Sequence, residues 1–277
     1  MKDNAKLKEI ACDLRKEVIK MLESAGSGHA AGSLGMADIF ACLYFSILHH
    51  DPENPHWEDR DRLLLSNGHI APLLYAALSY AGYFPQEKLK SLRKFGSFLQ
   101  GHPERERLRG VEITSGPLGS GLAQACGIAA VAKREGRRFR VFCVTSDGEH
   151  QEGNHWEAVL FAAKYKLGNL TAFVDSNNIQ ISGKTSDVMP LEPLLGKYQA
   201  FSWNALVIDG HDISQILNSV KQARLVYDKP TVIIAKTTPG KGVSFMEDNY
   251  LWHGKAPNKN EAKAALRELE EVCRDVK

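Results

Sequence analysis

Between residues 139 and 235, short apolar runs alternate with stretches of helical periodicity: strand 139–145, helix 154–166, strand 170–174, strand 205–209, helix 212–227 and strand 231–235. Strands joined through helical crossovers lie parallel, because a tight turn can join only antiparallel neighbours. Parallel sheets are covered on both faces, so their strands read as near-continuous apolar runs, as VFCV and LTAFV do here. The expected fold class is therefore α/β, a parallel sheet with helices on both faces.

Upstream, Leu7, Ile10, Leu14, Val18, Met21 and Leu22 recur at steps of three and four, which predicts an amphipathic helix ending before Gly26. Residues 26–35 read as a small-residue loop, 36–48 as a buried helix and 63–66 as a short strand. Segments 72–80 and 86–95 read as helices. Residues 101–121 are irregular, and 122–134 form a helix of small residues suited to close packing. A long loop over 240–257 precedes a charged closing helix, 260–276. Without repeats or a low-complexity linker, residues 1–277 are expected to form one domain, long enough to bury a sizeable core.

Charge narrows the function classes. Thirty-five basic against thirty-three acidic residues leave a formal charge of +2, which gives no reason to expect a nucleic-acid partner. No run reaches the roughly 18 apolar residues of a membrane span, and the charged N-terminus lacks a signal-peptide block. A soluble, cytoplasmic protein without a membrane partner is expected. The five cysteines (Cys12, Cys42, Cys126, Cys143, Cys273) form neither a CxxC pair nor a zinc spacing, and their odd number argues against a disulfide framework.

The run VFCV ends in Ser146-Asp147-Gly148-Glu149, with Glu152 close behind; the next strand ends in Asp175-Ser176-Asn177-Asn178. Ligands of a parallel sheet collect outside the carboxyl ends of its strands. Asp147 and the Asn177 amide oxygen would there form a hard-oxygen pair suited to Mg²⁺ or Ca²⁺, ions that share their shell with water and substrate phosphates. Gly148 would let backbone N–H groups approach a phosphate. Taken alone, an acidic strand end most often caps the next helix; the Asn-Asn after the neighbouring strand shifts the balance. Four histidines also sit beside glycine in loops: His29 (SGHAAG), His69 (SNGHI), His102 (QGHPE) and His253 (WHGK). Imidazole suits proton exchange with sugar hydroxyls. The other six (His49, His50, His56, His150, His155, His211) are expected at the surface or at helix caps. No HExxH or Cys/His ligand set points to zinc, and the Gly119-x-Gly121 pair lacks the rest of a dinucleotide fingerprint.

SDGEHQEG followed by DSNN resembles the thiamine diphosphate motif. Together with SGHAAGSLGMAD (27–38), LSNGHIAPLLYA (65–76), GHPE (101–104), TSGPLGSG (114–121) and KTTPGKG…WHG (236–254), the chain resembles the N-terminal, diphosphate-binding part of transketolase from about residue 5 to 257. It departs from the pattern at Ser146, where the motif usually has glycine, and at Ala30-Ala31, in place of Pro-Gly.

The resemblance implies thiamine diphosphate as cofactor and Mg²⁺ (Ca²⁺ possible as the ion) held by Asp147, Asn177 and the carbonyl of Ile179. It further implies that His69 and His253 lie near the diphosphate and the reacting carbon, with Gly148 and Glu149 on the motif beside them. Gly116, Pro117 and Leu118 would border the aminopyrimidine, Gly116 and Leu118 through backbone atoms. His29 and His253 would handle protons of the sugar, His102 would hold the donor's terminal hydroxyl, and Glu152 would reach a glutamate of a partner domain. The implied reaction moves a two-carbon glycolaldehyde unit from a ketose phosphate to an aldose phosphate. Full-length transketolases continue well past this chain, so the expectation is an N-terminal subunit acting with a separate C-terminal, pyrimidine-binding chain, for example as a heterotetramer. A deoxyxylulose phosphate synthase-like subunit and a non-catalytic regulatory homologue are the alternatives, with a nicotinamide dehydrogenase more distant.

Overall fold

The computed structural model describes residues 4–274. Helix α1 (Asn4–Ala25) buries the stripe foreseen from its spacing, from Leu7 through Leu14 and Val18 to Leu22. The stretch expected as a loop holds a short helix, α2 (Ala31–Gly35), followed by α3 (Ala37–Cys42), which continues as a π-turn over Leu43–Ile47 rather than as α-helix. Strand β1 (Arg62–Leu65) leads through a 3₁₀ turn at Gly68–Ile70 into α4 (Ala71–Tyr80), whose Pro72 sits in the first turn, where its missing N–H costs no hydrogen bond. The segment expected as helix 86–95 is 3₁₀ only over Gln86–Ser91.

Helix α5 (Ser120–Arg134) precedes β2 (Val141–Ser146), α6 (Gly153–Lys164) and β3 (Leu170–Ser176). Between residues 177 and 203 the chain forms a two-stranded hairpin, β4 (Ile179–Gln180) with β5 (Gly183–Lys184), and helices α7 (Thr185–Val188) and α8 (Leu194–Ala200). β6 (Asn204–Asp209), α9 (Ile213–Arg224), β7 (Thr231–Lys236) and α10 (Lys259–Arg274) complete the order. Asp275 and Val276, expected at the end of the last helix, lie outside the described residues.

The five main strands are all parallel, in the order β1-β2-β3-β7-β6. Alternate side chains enter two separate cores. Phe142, Val144, Phe173, Ile233 and Ala235 pack with α1, α3, α4 and α9 on one face. Val141, Cys143, Ala172, Val174, Val232 and Ile234 pack with α5, α6 and α8 on the other. Phe142 and Phe173 are fully buried, each contributing roughly 1.5–3 kcal/mol through the water their rings leave.

Two expectations about side chains are corrected. His150 and His155 are core residues, not surface or capping ones. The Tyr198 hydroxyl lies 2.8 Å from Nε2 of each, and His150 Nδ1 is 2.8 Å from the Ser146 carbonyl. Since that carbonyl only accepts, His150 is bare at Nε2, takes the Tyr198 proton there, and leaves the phenolic oxygen to accept from His155 Nε2–H. Burial holds the His150 ring at about 4, so it stays neutral in this network. Cys12 and Cys273, 261 residues apart, form a disulfide between α1 and α10, while Cys42, Cys126 and Cys143 are free and buried. Sequence proximity gave no hint of that pair, which the packing of the last helix on the first brings together.

Tyr198→Phe strands the Nε2 atoms of both histidines in the core. Urea denaturation should show a loss of about 2 kcal/mol, the cost of leaving buried polar groups unpaired. A variant with wild-type stability would rule out this reading of the network.

Candidate active site

β2 and β3 end level with one another: Ser146 pairs with Asp175 in the parallel register, and Asp147 N–H donates to the Asp175 carbonyl over 3.1 Å. This alignment brings Asp147 and Asn177 to one rim. The Asp147 carboxylate accepts from Gly148 N–H (2.7 Å) and from Asn178 N–H (2.6 Å), so it spans the two strand ends. Asn178 takes a left-handed backbone (φ 58°), a conformation asparagine tolerates better than most residues. Asn177 donates its amide N–H to Asp175 (2.8 Å), which turns the amide oxygen towards the Ile179 N–H at 3.0 Å and leaves that oxygen a further lone pair.

Burial raises the Asp147 carboxyl to about 6. Burial also raises Asp175, to about 7, against the Thr237 hydroxyl that bonds to it and with the help of the Asp147 charge. Two desolvated acids at one strand-end rim form a place where a cation would be stabilised. Among the described residues no three His, Cys, Asp or Glu side chains converge as an all-protein metal site. Asp147 and the Asn177 amide oxygen, with Ile179 on the same wall, are instead hard-oxygen donors of the kind that could share Mg²⁺ with water and phosphate oxygens.

A cavity of about 470 Å³ opens over this rim. Its wall includes His29, His69, His102 and His253, the four loop histidines, drawn from four separated segments. Ring centroids lie 5.2 Å apart for His29 and His69, 5.6 Å for His29 and His253, 5.1 Å for His69 and His253, and 6.5 Å for His29 and His102. Burial lowers all four, His29 to about 4, with His253, Arg93 and His102 adding to the effect there. Neutral imidazoles each carry one donor and one acceptor. Nδ1 of His29 and of His253, Ser115 Oγ and both polar side-chain atoms of Asn67 are buried without a partner in the protein. Such groups are costly unless a ligand or water meets them.

Gly116, Leu118, Gly148, Glu152, Asn177 and Ile179 share the same wall. Space beside Gly116 is open where a Cβ would stand, leaving its backbone approachable. Three expected contacts fall differently. Pro117 is exposed off the cavity wall, its carbonyl accepting from Ser120. Glu149 is fully buried behind the wall, accepting from Ser66 Oγ, Gly119 N–H (2.6 Å) and Ser146 N–H (3.2 Å). It therefore fastens the 114–121 loop and the start of α5 to the ends of β1 and β2, an acid well placed at a helix N-terminus. Gly148 reaches the cavity, but its N–H is engaged by Asp147 instead of being free for a phosphate.

Asp175 was missed as the residue that orients Asn177, as were Gln151, Gln180, Ile181 and Ser182 on the wall. The carboxylate two places before Asn177 was a usable signal for Asp175. The hairpin residues offered none, because a two-residue strand has no periodicity to read.

Residues 7–270 match the family described as the thiamine diphosphate binding domain of transketolase. The 6-deoxy-6-sulfo-D-fructose transketolase subunit of Clostridium sp. (strain MSTE9) is 41% identical over 257 residues, covering 93% of this chain and 94% of that one. Rat (Rattus norvegicus) transketolase is 40% identical over 271 residues, covering 95% of this chain but only 42% of its own length. The crystal structure of transketolase from Campylobacter jejuni superposes with a TM-score of 0.91 at 37% identity, over 98% of this chain and 43% of that one. With its parallel sheet, its gathered loop histidines and its two acidic strand ends, the chain belongs to the transketolase family, as a thiamine diphosphate-binding domain.

Proposed function

We propose that the chain is the N-terminal subunit of a split transketolase, holding thiamine diphosphate through Mg²⁺ and completed by a separate C-terminal, pyrimidine-binding chain. The observation that carries this reading is the meeting of the four loop histidines with Asp147 and Asn177 on one cavity. A relative named as a subunit matches almost end to end, whereas the chain spans 42% of the rat enzyme, which supports a separate partner chain.

Thiamine diphosphate supplies a nucleophilic carbon and an electron sink for breaking the bond between the second and third carbons of a ketose. The roles left to this chain follow from its own groups. Asp147, the Asn177 amide oxygen and the Ile179 carbonyl would hold Mg²⁺ against the diphosphate. Gly116 and Leu118 would meet the aminopyrimidine side through main-chain atoms. His29 and His253, whose ring centroids lie 5.6 Å apart, would take and return the proton of the sugar hydroxyl next to the broken bond. His69 would hydrogen-bond near the diphosphate, and His102 would hold the donor's terminal hydroxyl. Glu152, exposed at the cavity wall, would contact the partner chain.

The Clostridium relative's name favours a second reading at the donor level, a ketose ending in a sulfonate instead of a phosphate. Both donors present the same ketose head to this chain, and they differ at the far end.

Mixing the chain with a candidate C-terminal subunit, thiamine diphosphate, Mg²⁺ and a ribose 5-phosphate acceptor should produce activity that neither chain has alone. Xylulose 5-phosphate and 6-deoxy-6-sulfofructose, offered separately as donors, should differ by at least tenfold in kcat/KM. Asp147→Ala should abolish Mg²⁺-dependent cofactor binding by calorimetry, and unchanged affinity would refute the metal assignment. His102→Ala should lower kcat/KM for the ketose by on the order of a hundredfold, the weight of one positioned polar contact, while cofactor affinity stays within about twofold. Equal losses in both would mean that His102 has been misplaced.

A further inference from the structure

His253 stands at the end of a long return from β7, residues 237–253, whose one helical piece is a short 3₁₀ turn. Its far half is held by buried Trp252 against Phe245 and by Ser244, whose N–H and hydroxyl donate to Glu268. Val243 and Met246 are buried in the core, and the Thr237 hydroxyl donates to Asp175. At the next residue, Thr238 N–H donates to His211 Nε2 over 2.8 Å. Two residues further on, Gly240 N–H donates to the Ala31 carbonyl over 2.8 Å, just past His29. Gly35 passes so close that a Cβ there would lie 2.9 Å from the Thr238 carbonyl.

His211 is built into the fold and is not the surface or capping residue expected from the sequence. A main-chain amide can only donate, so Nε2 must be the bare nitrogen and Nδ1 must carry the proton. Nδ1 lies 2.9 Å from Asp38 Oδ2. Asp38 is itself buried and paired with the Arg15 guanidinium, which also donates Nε–H to the Leu34 carbonyl at 3.0 Å. Burial works against this carboxylate, but Arg15 and His211 together hold it at about 2, so it remains an acceptor. The chain Arg15–Asp38–His211–Thr238 thus fixes both the tautomer and the plane of the His211 ring, and with them the first turn of the return.

We propose that His211 is a positioning residue for the catalytic histidines: by capping Thr238 N–H it fixes the start of the return, which Gly240 ties to the His29 segment at Ala31 and which ends at His253. A Cβ on Gly254 would meet His29 Nε2 at 3.8 Å, an ordinary contact distance, so the end of the return runs beside the His29 ring. The proposal rests on the transketolase reading for what the two histidines do, but not for how they are held.

Two substitutions separate the two ring nitrogens. His211→Asn keeps a donor near the Nδ1 position for Asp38 and offers no acceptor to Thr238. His211→Gln brings a carbonyl oxygen to the Nε2 position. Hydrogen exchange read by mass spectrometry on the isolated chain should show residues 237–254 exchanging on the order of fivefold to tenfold faster in His211→Ala and His211→Asn. In His211→Gln the same residues should stay within about twofold of wild type. Exchange in β2, β3 and β7 should be unchanged in all three.

With partner and cofactor, kcat should fall on the order of tenfold in the Ala and Asn variants, at unchanged cofactor affinity, and recover in the Gln variant. A Gln variant as exposed or as slow as the Ala variant would overturn the proposal. So would acceleration spread evenly over the sheet, which would mark His211 as a general stabiliser. If the exchange pattern holds while wild type shows no transketolase activity with any donor, the functional reading fails and the clamp stands.

Discussion

The bond from Asn178 N–H to the Asp147 carboxylate, 2.6 Å long, joins the tips of β2 and β3, and the site is arranged around it. It exists because the two strands run parallel and finish level, Ser146 opposite Asp175. An offset of one residue would turn alternate side chains to opposite faces of the sheet and send Asp147 and Asn177 apart. The sheet's interior is largely apolar on both faces, so the pattern of buried valines and phenylalanines holds that register together with the main-chain ladder. Hydrophobic burial thereby fixes where two acids must stand close together.

Three carboxylates gather at this rim, and their surroundings divide them. Glu149 is met by a hydroxyl and two main-chain amides and serves to pin the 114–121 loop. Asp175 is met by Thr237 and Asn177 and serves to orient the amide of Asn177. Asp147 receives two amides and still faces the cavity, so it alone can offer an oxygen to an incoming cation. Proximity in sequence does not assign these roles; the direction of each side chain's remaining lone pairs does.

This division explains what the sequence could and could not disclose. The strands were legible because a strand buried on both faces must be apolar throughout, and VFCV and LTAFV are. Loop histidines were legible as a group because glycine neighbours mark backbone that approaches something closely. Glu149 and Asp147 stand two residues apart in one motif and point to different sides of the wall, a distinction no pattern records. Residues 177–203 were opaque for another reason: elements of two to seven residues carry no period. His150, His155 and His211 were misplaced because a polar residue's burial depends on a distant partner, Tyr198 for the first two and Asp38 for the third. Cys12 and Cys273 were left unpaired for the same reason.

The gathered imidazoles also bear on how the site is tuned. Four rings with centroids 5.1 to 6.5 Å from a neighbour cannot all be charged, and burial keeps them neutral, with His29 near 4. A base that weak removes a proton from a hydroxyl poorly, since transfer is most efficient when basicity lies near the operating pH. Under the proposed function, diphosphate oxygens close to His69 and His253 would change the balance, because negative charge near a ring favours its protonated form. The cofactor's tail would then raise the basicity of the histidines at the same time as it anchors the cofactor.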